Sequence, residues 1–350
     1  MRRAIELASN SLFISDPNPR VGCVIVKDGQ IISEGWTQLA GGNHAEIHAL
    51  RDLGERARDA DVYVSLEPCS HTGQTGPCTE ALIDAGVRRV FMAILDPNPK
   101  VCGNGVERLI NAGIEVHVGL GMEQAHALNR GFIRRMTGGF PWVRMKLGAS
   151  LDGRTALKNG QSKWITSQES RDDVQKWRAR SSAVVTGIDT VIADNPSLNV
   201  RIDNVPRQPL RVVVDSTGRI DPQAKIFSVA GRAIVATCRD SIDGVKEVLT
   251  LPAYDDRVDL TALMSALAKL NCNEILIESG ARLSGAFIAQ GLVDELVIYY
   301  SPKLLGDNAR GMFEIGNLTS LTDAPRLRVL EMNSIGEDIR IVAAFLRPKS

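Results

Sequence analysis

Short apolar runs alternate with amphipathic stretches along almost the whole chain. The run at 21–26 reads as a strand closed by the Lys27-Asp28-Gly29 turn, with 30–34 as its hairpin partner. Gly41-Gly42-Asn43 breaks the chain ahead of a helix over 44–53. A strand at 61–66 follows, then a helix at 79–85 stopped by Gly86, a strand at 87–95, a helix at 105–112 stopped by Gly113, and a strand at 114–118. Ahead of these, Ala4, Leu7, Ala8 and Leu12 share one side of an amphipathic first helix. The alternation predicts a layered α/β domain. A further amphipathic helix over 123–135 runs into Thr137-Gly138-Gly139-Phe140-Pro141, where a domain boundary is expected, dividing the chain into 1–139 and 140–350. Beyond it the pattern restarts, with strands at 142–147, 183–186, 210–215, 233–237, 274–278, 296–300 and 339–345. Helices fall at 168–179, 260–270 and 283–290. This is a second α/β domain without an internal repeat.

Length agrees with two domains, since 350 residues exceed what one hydrophobic core usually serves. Lys and Arg together number 41, as do Asp and Glu, so no global charge draws the chain toward nucleic acid or anionic membrane. No apolar run reaches the length of a membrane span. Met1-Arg2-Arg3 resembles the start of a signal peptide, but Glu6, Ser9 and Asn10 interrupt the apolar stretch such a signal requires. A cytoplasmic location is therefore expected. Six cysteines in a chain this long do not make a disulfide scaffold. Cys23, Cys102, Cys238 and Cys272 read as buried small hydrophobes.

The remaining two cysteines carry chemistry. His44-Ala45-Glu46, Pro68-Cys69 and Pro77-Cys78 offer one imidazole and two thiolates, with a carboxylate beside the imidazole. A zinc ion held by three such ligands keeps a fourth position open for water, the catalytic pattern. Glu46 is then the proton carrier, and the reaction class is zinc-assisted hydrolytic deamination. The geometry makes one demand: residues two apart point to nearly opposite sides of a helix. His44 must therefore lie at the very start of its helix, where the backbone is not yet helical. A helix N-terminus near Cys78 would favour its thiolate. A closed structural zinc would need a fourth ligand, for which His48 and His71 are candidates. His-Ala-Glu-Ile-His is not the metalloprotease H-E-x-x-H. His48 reads as a core or supporting residue, and His71 as a substrate contact.

The strings Asp16-Pro17-Asn18-Pro19-Arg20-Val21-Gly22-Cys23, His44-Ala45-Glu46, Leu66-Glu67-Pro68-Cys69-Ser70-His71 and Pro77-Cys78 resemble the deaminase half of the bifunctional riboflavin-biosynthesis family RibD. The resemblance implies a cytidine-deaminase-like three-layer α/β/α domain. It also implies zinc on His44, Cys69 and Cys78, Glu46 as proton shuttle, and Asn18 against the pyrimidine ring. The chain departs from the family pattern at Thr37, Gln74 and Gly76, where histidine, Lys or Arg, and proline are usual. The first two departures bear on the grip on a substrate phosphate.

In the second half the residues alone say less. The apolar strand Ile275-Leu276-Ile277-Glu278 feeds Ser279-Gly280-Ala281-Arg282-Leu283-Ser284-Gly285 and then a helix, which could cradle a phosphate. It is not the G-x-G-x-x-G fingerprint. Lys146 to Arg154, Ser162-Lys163-Trp164-Ile165-Thr166, Ala193-Asp194-Asn195-Pro196 and Pro302-Lys303-Leu304-Leu305-Gly306 resemble the reductase half of the same family, a dihydrofolate-reductase-like α/β domain that uses NADPH. The resemblance implies that Gly148, Trp164, Thr190, Asp194, Ser216, Gly280, Ala281, Arg282, Leu283, Ser284, Gly285 and Ala286 hold NADPH. It implies that Ser162, Arg178, Leu198, Arg201 and Glu278 hold substrate, with Lys146 also near the pocket. Arg178 and Arg201 would clamp a ribose phosphate.

The expected protein is a bifunctional enzyme acting on a small phosphorylated pyrimidine. It deaminates 2,5-diamino-6-(5-phosphoribosylamino)pyrimidin-4-one, then reduces the ribosyl group of the product to ribityl with NADPH. No nucleic acid or membrane partner is expected, and a homo-oligomer, dimer or tetramer, is. The alternatives are a tRNA-type nucleic-acid deaminase with an accessory nucleotide-binding domain and a structural zinc protein. Scarce aromatics and zero net charge weigh against the first.

Overall fold

The computed structural model describes residues 1–71, 76–98 and 101–346. Its chain divides into two compact units, Met1–Phe140 and Pro141–Ser350.

The first unit is built on the strands β1 (Gly22–Lys27), β2 (Gln30–Trp36), β3 (Asp61–Val64), β4 (Arg89–Met92) and β5 (Glu115–Val118), in the order β2-β1-β3-β4-β5. The β2-β1-β3 part is antiparallel and β3-β4-β5 is parallel. The helices are α1 (Arg2–Ala8), α2 (Ala45–Leu50), α3 (Cys78–Asp84), α4 (Asn104–Asn111), α5 (Met122–Leu128) and α6 (Arg130–Gly138). One core joins Cys23 and Ile25 of β1, Val62 and Val64 of β3, and Val90 and Met92 of β4 to Ala45, Ala49, Leu82 and Leu109 of the helices. A smaller one seats α1 through Ala4 and Leu7 against Val24. Gly35 lets α2 lie directly on β2: a Cβ there would come within 2.3 Å of the Ala45 carbonyl oxygen. That close approach sets where the start of α2 sits.

Two expectations need correction here. The single helix over 123–135 is two, broken at Asn129, whose side chain leaves the helix path to accept from the Arg20 N–H at 2.8 Å and donate to the Arg20 carbonyl at 2.9 Å. Cys23 and Cys272 are buried as expected, but Cys102 is exposed and Cys238 only half-buried. Val101 takes the core position beside Cys102, in the turn that enters α4, and Cys238 lies just past the end of its strand.

The second unit carries α7 (Gln168–Arg180), α8 (Ile188–Asp194), α9 (Lys225–Ser228), α10 (Leu260–Lys269) and α11 (Ala281–Ala289). Its strands are β6 (Trp142–Ser150), β7 (Arg154–Ala156), β8 (Ala183–Gly187), β9 (Leu210–Val214), β10 (Ala233–Thr237), β11 (Val248–Thr250), β12 (Ala253–Tyr254), β13 (Arg257–Val258), β14 (Glu274–Ile277), β15 (Glu295–Ser301), β16 (Arg310–Gly311), β17 (Leu327–Ile335) and β18 (Asp338–Phe345). Nine of them form one sheet in the order β11-β10-β9-β8-β14-β6-β15-β18-β17. From β11 to β15 every pairing is parallel, and β18 and β17 close the edge antiparallel. β14 is buried along its whole length, which is why it reads as a continuous apolar run. β17 was not expected. Its register shifts between Val329 and Glu331, so the apolar residues change phase midway and lose the period of two.

At the centre of this sheet Arg144 is fully buried between Glu274, at 2.7 Å, and Glu295, with the Trp177 ring 5.1 Å away. Paired this way, the charge fixes how β6, β14 and β15 align and cannot lose one partner cheaply.

Candidate active sites

In the first unit the strand ends and helix starts deliver three ligands to one point. His44 is the N-cap of α2, with extended backbone at φ −68°, ψ 163°, so Glu46, one residue inside the helix, points to the same side. Cys78 is the first residue of α3, and Cys69 lies in the turn after β3. The two cysteine segments are laced together: the Cys78 N–H donates to Cys69 Sγ at 3.4 Å, and the Thr79 N–H donates to the Cys69 carbonyl at 3.1 Å. His44 Nδ1 is 3.2 Å from Cys78 Sγ and 3.6 Å from Cys69 Sγ, and the three ligand atoms lie within 4.8 Å of one another. A tetrahedral zinc with bonds of about 2.3 Å to sulfur and about 2.05 Å to nitrogen sets its ligands roughly 3.5 Å apart from N to S and roughly 3.8 Å from S to S. The residues present fit that ion.

The charges agree. The hydrogen bond from Cys78, and then His44, pull the Cys69 thiol down to about 4, while Cys78 is pushed far up as its partner. Burial, with the nearby Cys69 charge, pushes the Glu46 carboxyl up to about 7. No fourth ligand joins His44, Cys69 and Cys78 among the described residues. His48 accepts at Nδ1 from the Trp36 N–H at 3.3 Å, with the Gln38 amide 3.1 Å away, and its ring stands edge-on to Trp36. It ties α2 to β2. His71 is exposed. Asn18 lies in the turn before β1, its N–H bonded to the Ser15 carbonyl at 2.8 Å. Thr37 is buried and accepts from the Val21 N–H at 3.2 Å, closing the start of the hairpin. Gln74 lies outside the described residues, and Gly76 is exposed with open space where a Cβ would sit. By sequence alone Asp96 is an ordinary turn residue. It is buried, and burial pushes its carboxyl up to about 6, with Glu67, His71 and Cys69 the nearby charges. The signal available was the tetrapeptide Asp-Pro-Asn-Pro, which occurs at 16–19 and again at 96–99.

In the second unit the expected residues gather along the carboxyl ends of the parallel strands, where open α/β sheets bind ligands. Gly148 lies near the end of β6, Thr190 follows β8, Ser216 follows β9, and Glu278 and Gly280 follow β14. A Cβ on Gly148 would come within 3.1 Å of Thr166, and one on Gly280 within 3.8 Å of the Thr190 hydroxyl. Trp164 is exposed beneath the Arg171 guanidinium, 4.4 Å from its ring centre. Lys303 holds the Trp164 segment by donating to the Trp164 and Ile165 carbonyls at 3.2 and 2.8 Å. Lys163 pairs with Asp194 at 3.5 Å. Ser162 is half-buried in the same segment. Ser216 accepts from the Val258 N–H at 2.9 Å.

Three placements differ from expectation. Residues 281–286 are not a loop but the first turns of α11, capped by Gly280; Ser284 and Gly285 are buried. Nothing in Ala281-Arg282-Leu283 opposes a helix, and a Cβ on Gly285 would sit 2.0 Å from the Glu314 carbonyl oxygen, so that glycine serves packing. Only the Glu278-Ser279-Gly280 turn and the first residues of α11 remain as a cradle. Leu198 turns its side chain into the core with Val184, Val213 and Leu276. Arg178, expected on a phosphate, grips Glu278 with both arms at 2.6 and 3.0 Å, and Lys146 stands 3.6 Å from the same carboxylate. Burial alone would push the Glu278 carboxyl up, but Arg178 and Lys146 outweigh it and hold it at about 2. Arg201 is exposed beside this cluster, its own pKa lowered by burial and by the Arg178 charge.

A His-Cys-Cys centre beside a buried carboxylate, on one unit, and a ligand-binding edge on a parallel sheet, on the other, fit a metal-dependent deaminase joined to a second ligand-binding α/β domain. The comparisons agree: residues 1–94 match the cytidine and deoxycytidylate deaminase zinc-binding region, and residues 141–341 match the RibD C-terminal domain. The chain is 48% identical to riboflavin biosynthesis protein RibD of Escherichia coli (strain K12), covering 97% of this chain and 96% of that protein. It superposes on Acinetobacter baumannii RibD with a TM-score of 0.93 at 44% identity, covering 99% of this chain and 98% of the other. A diaminohydroxyphosphoribosylaminopyrimidine deaminase/5-amino-6-(5-phosphoribosylamino)uracil reductase from Thermotoga maritima gives a TM-score of 0.89 at 35% identity, covering 99% and 97%. The chain belongs to the RibD family, the bifunctional deaminase–reductases of riboflavin biosynthesis that use Zn2+ and NADPH.

Proposed function

We propose that the deaminase activity belongs to residues 1–139 and the reductase activity to residues 140–350. The substrates are the diaminopyrimidine ribotide and its deaminated uracil product. The observation that carries this is the three-ligand cluster of His44, Cys69 and Cys78 with Glu46 buried against it. Zinc, when held by these residues, supplies Lewis-acid activation of water for hydrolysis at the amino-bearing ring carbon. Glu46 takes the proton released and returns it to the departing amine; a carboxyl near neutrality can do both. The start of α3 favours the thiolate of Cys69, whose sulfur accepts from the Cys78 N–H. Asn18 and His71 contact the pyrimidine substrate on this reading.

NADPH, when bound along the edge formed by Gly148, Thr190, Ser216 and the Gly280 cap, supplies the hydride. Trp164 and Asp194 border that edge. Arg201 is the cation left to meet a substrate phosphate, because Arg178 is committed to Glu278. Glu278, ionised and paired, orients Arg178 and Lys146 and does not itself donate a proton at neutral pH.

No helix among the described residues is long and apolar enough to cross a membrane. The reading puts the enzyme in the cytoplasm, where Cys69 and Cys78 stay reduced. It also makes the protein a homo-oligomer, supported by the edge strand β17, which exposes Val329 (55%) and Met332 (63%) beside Ile339 of β18.

The test is incubation of the zinc-loaded chain with the diaminopyrimidine ribotide, following ammonia release and NADPH oxidation separately. Both are expected, in that order. Absence of ammonia release would overturn the deaminase reading, and ammonia without NADPH oxidation the reductase reading.

A further inference from the structure

Glu67 stands two residues before the ligand Cys69 and is almost fully buried, at 3% exposure. Such a buried carboxyl must be satisfied, yet among the described residues no cation hydrogen-bonds it and four backbone N–H groups do. Its Oε1 accepts from the N–H groups of Gly105 at 2.9 Å and Val106 at 3.3 Å, and its Oε2 from those of Asp96 at 3.0 Å and Gly103 at 3.1 Å. Gly103 is the N-cap of α4 and supplies no side chain to cap it, so Glu67 takes over that task from another part of the chain. Its own N–H donates to the Ile94 carbonyl at 3.0 Å, fixing its backbone to the end of β4.

The same contacts fix Pro68. A Cβ on Gly105 would meet the Pro68 carbonyl oxygen at 2.3 Å, so the start of α4 lies directly against the residue before Cys69. From the other side, the start of α3 holds Cys69 through the Cys78 and Thr79 N–H groups. The Cys69 turn is therefore clamped between the N-termini of α3 and α4, and the α4 side of the clamp closes through one carboxylate.

We infer that Glu67 is a positioning residue of the metal centre: by docking α4 onto the Pro68-Cys69 turn it holds the Cys69 sulfur at the distance from His44 and Cys78 that a tetrahedral ion requires. The inference rests on the assignment of zinc to His44, Cys69 and Cys78. In Glu67→Gln the side chain keeps its size but turns an NH2 group toward two of the four backbone donors. In Gly105→Ala the added methyl pushes directly on Pro68.

The experiment uses the full chain. Zn2+ affinity is measured by chelator competition, and the geometry at the site by the visible and thiolate charge-transfer bands of the Co2+-substituted protein. The reductase of the same polypeptide reports on its integrity, and circular dichroism and thermal melting report on the first unit. Both variants are expected to weaken Zn2+ affinity by about 10–100-fold, as losses of supporting residues around metal ligands do. They are also expected to shift the Co2+ bands and lower deaminase kcat more than they change KM, with reductase turnover intact. Wild-type affinity and an unchanged Co2+ spectrum, with only a lower melting temperature, would overturn the inference. So would loss of the first unit's fold in both variants, which would leave Glu67 a cap and nothing more. A wild-type chain without Co2+–thiolate bands would instead sink the zinc assignment beneath it.

Discussion

The two sites of this chain differ in how far their parts are spread. In the first unit, three ligands and a carboxylate come from short segments at the starts of α2 and α3 and the turn after β3, with the ligand atoms inside 4.8 Å. In the second, the expected residues are strung along the edge of a nine-stranded sheet, from the end of β9 across β8 and β14 to the end of β6, joined by ion pairs instead of one focal atom. A metal centre tolerates little displacement, because bond lengths fix its ligands. A ligand edge on a sheet distributes the same work over many weak contacts. Single substitutions should therefore act almost all-or-none in the first unit and in graded fashion in the second.

The largest effect should come from Cys78→Ala. It removes one of the three ligand atoms while the residue-78 N–H that bonds Cys69 Sγ stays, so metal content measured by atomic absorption falls to background and ammonia release with it. NADPH oxidation on the deaminated substrate should be unchanged; a parallel loss there would erase the contrast. Next, Glu46→Gln should keep one zinc per chain while deaminase kcat falls by about 10²–10⁴-fold, the span of a lost proton carrier. Loss of zinc in that variant would mean that Glu46 serves the fold rather than the reaction.

Glu278→Gln should be the most damaging change in the second unit. It leaves Arg178 buried without its carboxylate, which costs about 3–5 kcal/mol and is readable as an early transition in urea. The wild-type carboxyl is held at about 2, below its unfolded value of 4.5. Its contribution, about 3 kcal/mol, is thus fully present above pH 4.5 and is lost as pH falls toward 2. Acid titration of the two unfolding transitions should show this loss in wild type and not in Glu278→Gln. The smallest effect belongs to Arg201→Ala, exposed and, on the proposed reading, the cation that meets the substrate phosphate: KM for the uracil ribotide should rise about tenfold with kcat nearly constant, as for a lost charged hydrogen bond. A kcat effect equal to the KM effect would place Arg201 at the reacting atoms.

The same contrast explains what could be read from the chain before folding. His44, Glu46, Cys69 and Cys78 were legible because each is chemically uncommon in its context, and Gly41-Gly42-Asn43 and Pro77 announce the helix starts that present them. The strand order was not legible, nor was β17, whose bulge scrambles the alternation. Arg178 and Glu278 stood out as charges, but 100 residues separate them, and only the sheet shows that they hold each other. Glu67 and Asp96 read as ordinary turn acids until burial made them expensive to leave unpaired.

Composition and spacing by themselves thus determined the ligand types, the carboxylate beside them and the division into two α/β halves, because those follow from local periodicity and from what a soft metal will accept. Which carboxylates are buried, which cations are already paired and where a helix start leans on a ligand loop were decided by the tertiary structure. These depend on contacts between residues far apart in the chain, and burial, not residue type, decides the protonation and partners of a charge.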